Sequence, residues 1–417
     1  MSIAGDVNSM EHFASAGEVA RQLRPDSPIY CFRPSVLRED ANAFLSAFAG
    51  KTAYAVKTNG EPFVLKTLAD VGMRAFDVAS PAEIAAARAV ASQAELFYMH
   101  PVKSQTDISL ALGPYGIRTL ALDHEDEVAK ILRVVRGLDL DPESITLCVR
   151  LATKGHAAYE LSKKFGAAPG HAVELLQRID RIGFRCGLCF HVGSQVTDLD
   201  TYEQALKSAD WVRNRAGVEL KVLDVGGGFP APYGADPRRD NGAPPHDVSA
   251  MAAEVSREAR EWGFGDVELV SEPGRVIVAR CLSVIVRVLL KKGRRIYIND
   301  GVWGSLSDSW TGKIVLPARL VPDPARKRRT GDPHKIVPFK VCGATCDSID
   351  ILSRPFYLPE TVDTGDFIEI GHIGAYSMSL RTRFNGFFPE RVVVVDKPFD
   401  LEAAEGAAMP EPRFAAE

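Results

Sequence analysis

The chain lacks any run of residues suited to crossing a bilayer. Its longest apolar stretch, CLSVIVRVLL, is interrupted by Arg287 and falls well short of the roughly 20 apolar residues a membrane helix needs. The opening MSIAGDVNSMEHFASAGEVARQL carries Asp6, Glu11 and Glu18 and has neither a basic start nor an apolar segment, which argues against a secretory signal. Cysteine is scarce and odd in number. Of the seven, only Cys186 and Cys189 have a metal-like spacing, and they flank the start of an expected strand, where two small buried hydrophobes are the simpler reading. A disulfide framework is therefore not expected. Positive charge is not in excess either: 50 lysines and arginines against 54 acids give a formal net charge of -4, which excludes a general attraction to nucleic acid or anionic lipid. The expectation is a cytoplasmic protein with a small-molecule partner, no membrane and no nucleic acid.

With 417 residues the chain exceeds the usual size of one core, and 46% hydrophobic residues can bury a large one, so a large domain and a smaller one are expected. From Thr52 to Glu272, short β-branched or aromatic runs alternate with amphipathic segments. The runs are TAYAVK, RAFDVA, LFYMH, TLALD, ITLCVRLA, GLCFHVG, KVLDVGGG and VELVSEPG. Between them lie stretches such as AMAAEVSREAREWG, whose Met251, Val255, Ala259 and Trp262 recur at helical spacing. Eight strand–helix units over this length have the rhythm of a (β/α)8 TIM-type barrel, an α/β architecture; a doubly wound sheet is the alternative. After Arg275 the runs VIVARCLSVIVRVLL, RRIYIND, HKIVPFKVCG, DFIEIGHIG and RVVVVD read as strands of a C-terminal β-rich domain, which the early segment PIYCFR could join. The expected division is residues 1–35 with the β domain, a barrel over 36–275, the β domain over 276–398 and a flexible tail over 399–417. PDPARKRRTGDPHK reads as a solvated loop, and the Pro/Gly-rich 229–246 as a surface insertion or a lid.

A barrel of this kind gathers its chemistry at the C-terminal ends of its strands. Those ends carry Lys57, then Asp77 with Ser80, His100, Arg150, His191 with Ser194, Gly226 to Gly228, and Glu272 with Arg275. Taken singly, Asp77, Ser80 or His100 reads as a capping or solvent-facing residue, and Lys57 as an amine reaching solvent from a strand tip. Their concentration on one rim is what suggests a site. Three consecutive glycines after the seventh strand make either a tight turn or a backbone cradle for an anion. Barrel phosphate sites are commonly built after strands seven and eight, where Arg275 could add a guanidinium fork, so phosphate is favoured. An amine, a phosphate site, a carboxylate and an imidazole on one rim are the parts needed for pyridoxal phosphate: a lysine for the imine, an acid for the pyridine nitrogen, a flat ring to stack.

YAVKTN, FDVAS, FHVGSQ, DVGGGFP, EPGR, NDGVWGS, GATCDSID and GAYSMSLRTRFNGF occur in the order found in fold-type III pyridoxal-phosphate decarboxylases. The chain most resembles the ornithine/lysine decarboxylase branch, from about Pro28 to Asp396. The resemblance implies an alanine-racemase-like barrel with a C-terminal β domain, and pyridoxal 5'-phosphate as cofactor. It makes Lys57 the Schiff-base lysine, His191 the ring-stacking histidine and Glu272 the partner of the pyridine nitrogen. Ser194, Gly227, Gly228, Arg275 and Tyr376 match the phosphate-holding set, with Pro273 and Gly274 beside them, and Asp77 and Arg150 match positions near the cofactor. CDSID resembles the segment that reaches across a homodimer interface into the partner's site. Cys346 would then protonate the carbon left by CO2 loss, and Asp347 would bind the distal ammonium of a basic amino acid. Without the family, Cys346 reads as a buried thiol and Asp347 as a turn residue.

The implied reaction converts ornithine or lysine to the corresponding diamine. In ornithine-specific relatives a second acid follows the DGV motif by about a dozen positions; here Gly312 and Lys313 stand there, and the nearest acid is Asp308. Either Asp308 substitutes, or the substrate is a longer diamino acid or a carboxylated diamine conjugate that Lys313 could meet. An amino-acid racemase on the same fold is a second reading, opposed by Glu272 where racemases generally place an arginine. A non-catalytic regulatory binder is a third, opposed by the presence of Lys57, Glu272 and Cys346.

Overall fold

Short strands buried on both faces need helices outside and other strands' side chains inside, and parallel pairing gives them both. The computed structural model describes residues 7–153, 164–233, 248–323, 325 and 331–400. The described residues within Asp40–Pro230 and Pro245–Ile277 form one compact unit, and those within Met1–Glu39, Ala231–Pro244 and Val278–Glu417 form another.

The first unit is the barrel. Its strands, Lys51–Ala55, Ala75–Val78, Glu95–Tyr98, Thr119–Leu122, Thr146–Leu151, Arg185–Phe190, Leu220–Asp224 and Glu268–Ser271, pair in sequence and close on themselves through Val270 against Lys51 and Ser271 against Thr52. All eight expected runs contribute, and closure decides against the doubly wound alternative. Small side chains make the closure possible. Ala53, Ala75, Ala121, Cys148 and Cys189 cluster with Phe97, Met99, Val222 and Val270, so the interior is packed. Cys186 is buried as well, and burial pushes the Cys148 and Cys189 thiols up, as suits small hydrophobes.

Local signals fix where the outer helices begin. Ser80 accepts from Glu83 N at 3.3 Å while the Glu83 carboxylate accepts from Ala79 N at 2.8 Å, a capping box that opens helix Pro81–Val90. Ser80 is thus a helix cap. His100 caps its own loop through Val102 N, 3.2 Å from Nδ1. The stretch carrying Met251, Val255 and Ala259 is helical over Val248–Ala259, then widens into a π-type turn, Arg260–Phe264, in which Gly263 takes φ 83° and Trp262 is half-buried.

The second unit is a nine-stranded sheet. Its main path runs His12–Phe13, Val392–Val395, Ile29–Phe32, Leu282–Lys292, Arg295–Ile298, Ile336–Cys342 and Phe356–Pro359, with Phe367–Ile370 joining Leu282–Lys292 and Ala318–Val321. The run VIVARC, expected as strand, is instead a helical turn at Arg275–Val278 and a 3-10 turn at Ala279–Cys281. The reason is local: the chain leaves Gly274 in a turn closed by Ile277 N on Gly274 O at 3.0 Å, and β-branched composition alone does not oppose that. Among the described residues, no helix is long and apolar enough to cross a membrane. Most of the expected 229–246 insertion, part of the basic loop and nearly all of the tail lie outside the described residues.

A buried ion pair ties this sheet together. Arg33 reaches Glu369 Oε1 at 2.7 Å, Ser283 Oγ at 2.9 Å and Lys397 O at 2.7 Å, and the second carboxylate oxygen takes Arg319 Nε at 2.7 Å. Both side chains of the pair are fully buried. Removing one partner strands the other charge, a loss of about 3–5 kcal/mol for buried pairs. Glu369→Ala should lower the stability of the sheet unit by that amount in urea unfolding, and an unchanged midpoint would contradict this account of the pair.

Candidate active site

Parallel closure points all eight strands the same way, so the residues after each strand share one rim. Lys57 lies in the 3-10 turn Val56–Thr58 directly after the first strand, and its Nζ is 3.1 Å from Oδ2 of Asp77 on the second. Asp77 is buried, while the lysine side chain remains 39% exposed, so a buried carboxylate orients a part-exposed amine. Arg150 stands on the fifth strand and His191 follows the sixth. Gly193 N donates to His191 Nδ1 at 3.2 Å, which leaves Nε2 to carry the proton of the neutral ring. The His191 pKa is well below its usual value, first through desolvation and then through the positive charges of Lys57 and Arg150. His191 is half-buried at the rim.

The glycine triplet is dictated by close approach. Gly226 has φ 68°, and a Cβ on Gly227 would stand 2.5 Å from Glu272 O and 3.2 Å from His191 Nε2. Any larger residue at 227 would push the seventh strand's exit away from the eighth. Tyr202 Oη donates to Gly227 O at 2.9 Å, Val196 N to Gly228 O at 3.0 Å and Glu272 N to Gly226 O at 2.8 Å, so the turn is held from three sides. Beside it, Arg275 Nε donates to Ser194 Oγ at 3.2 Å, and Arg275 is buried. Pro273 and Gly274 bring the chain back to the first strand: Ala55 N donates to Pro273 O at 3.1 Å, and the Cα of Gly274 packs on Thr58.

The eighth and seventh strands pair in register through Val270 and Asp224, which brings two acids together. Asp224 is fully buried; its Oδ1 accepts from Gly226 N at 2.7 Å, and its carboxyl interacts with that of Glu272. Burial raises Asp224 from 3.8 to about 7, and raises Glu272 well above its usual value, with the charges of Asp224 and Asp77 adding to the effect and Lys57 opposing it. Burial thus pushes both carboxyls of the pair toward their protonated forms.

The remaining expected residues belong to the sheet unit. Cys346 and Asp347 are adjacent in a loop after strand Ile336–Cys342; the thiol is exposed and the carboxylate half-buried. Cys346 is thus the exposed cysteine, and the reading of a buried thiol is corrected: its loop is held out by backbone bonds to Asp350, not packed under the sheet. Asp347 Oδ2 accepts from Trp303 Nε1 at 3.2 Å and Oδ1 from Ile349 N at 3.1 Å. Asp308 is buried in the short helix Ser307–Thr311. Tyr376 is half-buried after strand Phe367–Ile370, with a left-handed φ of 54°. The sequence reading did not single out Asp224, Trp303 or Asn385, although all three lie inside the quoted motifs. An acid directly before a glycine triplet at a strand end was the available signal for the first.

The carboxyl pair has a measurable consequence. Its folded pKa values lie above the unfolded ones, so folding takes up protons between pH 3.8 and about 7, and stability falls as pH rises through that window. In the protein stripped of small molecules, Asp224→Asn should flatten this fall in a series of urea midpoints against pH. An identical slope in wild type and variant would show that the pair is not the cause.

The rim fits pyridoxal phosphate on features visible without it: a primary amine held by Asp77, a glycine cradle that a Cβ would fill, a buried arginine with a serine hydroxyl for phosphate, and a desolvated acid pair. The family model for the pyridoxal-dependent decarboxylase pyridoxal binding domain matches residues 35–279. The chain is 31% identical to a lysine/ornithine decarboxylase of Selenomonas ruminantium over 83% of this chain and 84% of that one. The structure is similar to an agmatine-bound arginine decarboxylase of Paramecium bursaria Chlorella virus (TM-score 0.76, 25% identity, covering 90% of this chain and 98% of that one). It is also similar to a putrescine-bound lysine/ornithine decarboxylase of Vibrio vulnificus (TM-score 0.75, 26% identity, covering 92% and 99%). The chain belongs to the pyridoxal-dependent decarboxylases of fold type III, in the branch of the lysine and ornithine enzymes.

Proposed function

We propose that the protein decarboxylates a basic amino acid to its amine, with the rim residues in the following roles. Lys57 tethers the cofactor, Asp77 keeps its amine oriented, and Ser194, Gly227, Gly228 and Arg275 hold the phosphate. His191, neutral at physiological pH, stacks on the ring without adding positive charge. Bound pyridoxal phosphate supplies the electron-withdrawing ring that accepts the electron pair released with CO2. Glu272 holds a proton at the ring nitrogen, with Asp224 behind it, so that charge developing in the reaction is met by a fixed electrostatic partner. Cys346 gives a proton to the α-carbon, and Asp347 binds the distal ammonium. In the proposed homodimer, Cys346 and Asp347 of one copy serve the partner's rim. The setting proposed is cytoplasmic polyamine synthesis.

The observation that carries this reading is the buried acid pair next to an oriented amine, an arrangement that is costly unless a cationic ring nitrogen joins it. Asp347 supports a basic substrate because its carboxylate is aimed by two neutral donors, which leaves lone pairs for a cation. Asp308 is buried in its helix and Lys313 takes a left-handed φ of 52° after Gly312, so Asp347 is the acid on which recognition rests.

Borohydride reduction followed by peptide mapping should find the pyridoxyl adduct on Lys57, and an adduct elsewhere or none would refute the assignment. Glu272→Ala should lower kcat by about 10²–10³-fold, the usual loss for a charge-stabilising group; near-normal turnover would count against its role. A panel of ornithine, lysine, arginine, diaminobutyrate and carboxylated diamine conjugates, in both enantiomers, should release CO2 from a basic amino acid. Loss of optical activity without CO2 would point to a racemase instead.

A further inference from the structure

Cys346 is on the surface, yet its thiol is not left to turn at will. Its Sγ and its backbone N both approach Oδ1 of Asn385, each at 3.2 Å. A backbone N–H can only donate, so the amide oxygen and not the NH2 must face this residue. Asn385 lies in the turn Phe384–Gly386 with φ 52° and ψ 12°, a left-handed conformation that asparagine tolerates better than other residues with a side chain.

The turn is itself anchored. Phe384 N donates to Thr382 Oγ1 at 3.2 Å, and Thr382 donates to Trp303 O through N at 2.8 Å and Oγ1 at 3.0 Å. Trp303 Nε1 then reaches Asp347 Oδ2, the next residue in the chain after Cys346, at 3.2 Å. The bonds close a ring through three segments of the sheet unit. Beneath it the buried Asp350 carboxylate accepts from Val302 N at 2.8 Å, Thr345 N at 3.0 Å and Thr345 Oγ1 at 2.6 Å, pinning the loop on the other side. An exposed cysteine side chain has three staggered positions available; here an acceptor supplied from 39 residues away selects one.

We propose that Asn385 is a positioning residue for the proton that Cys346 delivers, a proposal that rests on the reading of Cys346 as the acid of the reaction. The backbone N–H of Cys346 clamps the amide oxygen, and the same oxygen, by accepting from Sγ–H, fixes where the sulfur sits; the S–H bond turns from that acceptor toward the α-carbon in the transfer. In the transfer the S–H bond breaks and a C–H bond forms at the α-carbon, using the electron pair left when CO2 departs; the thiolate then takes a proton from solvent. Loss of the acceptor frees the thiol to rotate, so the proton arrives more slowly and without a fixed direction.

Asn385→Gly keeps the left-handed turn and deletes the acceptor, while Asn385→Asp keeps an acceptor oxygen. With the best substrate of the panel, Asn385→Gly should lower kcat by roughly 10- to 100-fold at unchanged KM. Amine made by it in D2O should carry deuterium at the α-carbon in mixed configuration, where wild type and Asn385→Asp give one configuration. In a Cys346→Ala background, Asn385→Gly should cost nothing more. If Cys346→Ala lowers kcat but Asn385→Gly does not, or if Asn385→Gly costs the same in both backgrounds, the positioning role is wrong while the acid reading stands. If Cys346→Ala leaves kcat and configuration intact, the acid reading fails and the proposal falls with it.

Discussion

Two carboxyl groups buried on adjacent strands cannot both be charged without a cation, and the barrel's rim is organised around that difficulty. Asp224 comes at the end of the seventh strand and Glu272 just beyond the eighth, with Asp77 contributing a further negative charge and Lys57 the opposing positive one. Left alone, the pair is pushed by burial toward its protonated form. A ligand that brings a positive nitrogen to Glu272 replaces that proton with a better partner, whereas a neutral or anionic group would not. At the glycine turn the requirement is reversed, since Arg275 and the backbone there favour an anion. The rim thus selects a molecule with a cationic ring nitrogen and an anionic group, the polarity of pyridoxal phosphate.

The glycine triplet couples these two requirements sterically. A side chain on Gly227 would crowd both the Glu272 carbonyl and the His191 ring, so the glycine turn, the acid and the imidazole share one close contact. Their relative positions are consequently set by the backbone and not by rotamer choice. Helix caps such as Ser80–Glu83 and the closure through Val270 and Lys51 matter to the site for the same reason: they fix the strand ends that carry it.

Much of this was legible in the sequence because the barrel is periodic. Eight apolar runs, each with a polar residue at or near its C-terminal end, announced both the architecture and the rim. What was not legible depends on contacts that no period encodes. Nothing in the sequence marks Asp224 as buried; pairing on both sides of its strand removes it from water. Asn385 and Cys346 are 39 residues apart, and nothing in either motif states that they meet. VIVARC has the composition of a strand, but the chain must turn after Gly274, and local geometry overrides β propensity. Asp308 was counted as an acid at a plausible spacing, yet a short helix buries it.

The exposure of Cys346 bears on the proposed dimer. A proton donor to carbon works best where water cannot compete, and a carboxylate binds an ammonium more strongly when both are desolvated. In the single chain the thiol is exposed, and the segments that hold it also expose Ile349 at 41%, Phe384 at 43% and Phe387 at 46%. Large apolar side chains kept in water beside an exposed thiol and a carboxylate held by two donors have the composition of an interface core more than of a solvated surface. A second copy covering them would dry the thiol and the acid together. In that arrangement the hydrogen-bonded ring through Trp303, Asp347, Cys346 and Asn385 is needed before the copies meet, because a loop that crosses to another chain must arrive already shaped.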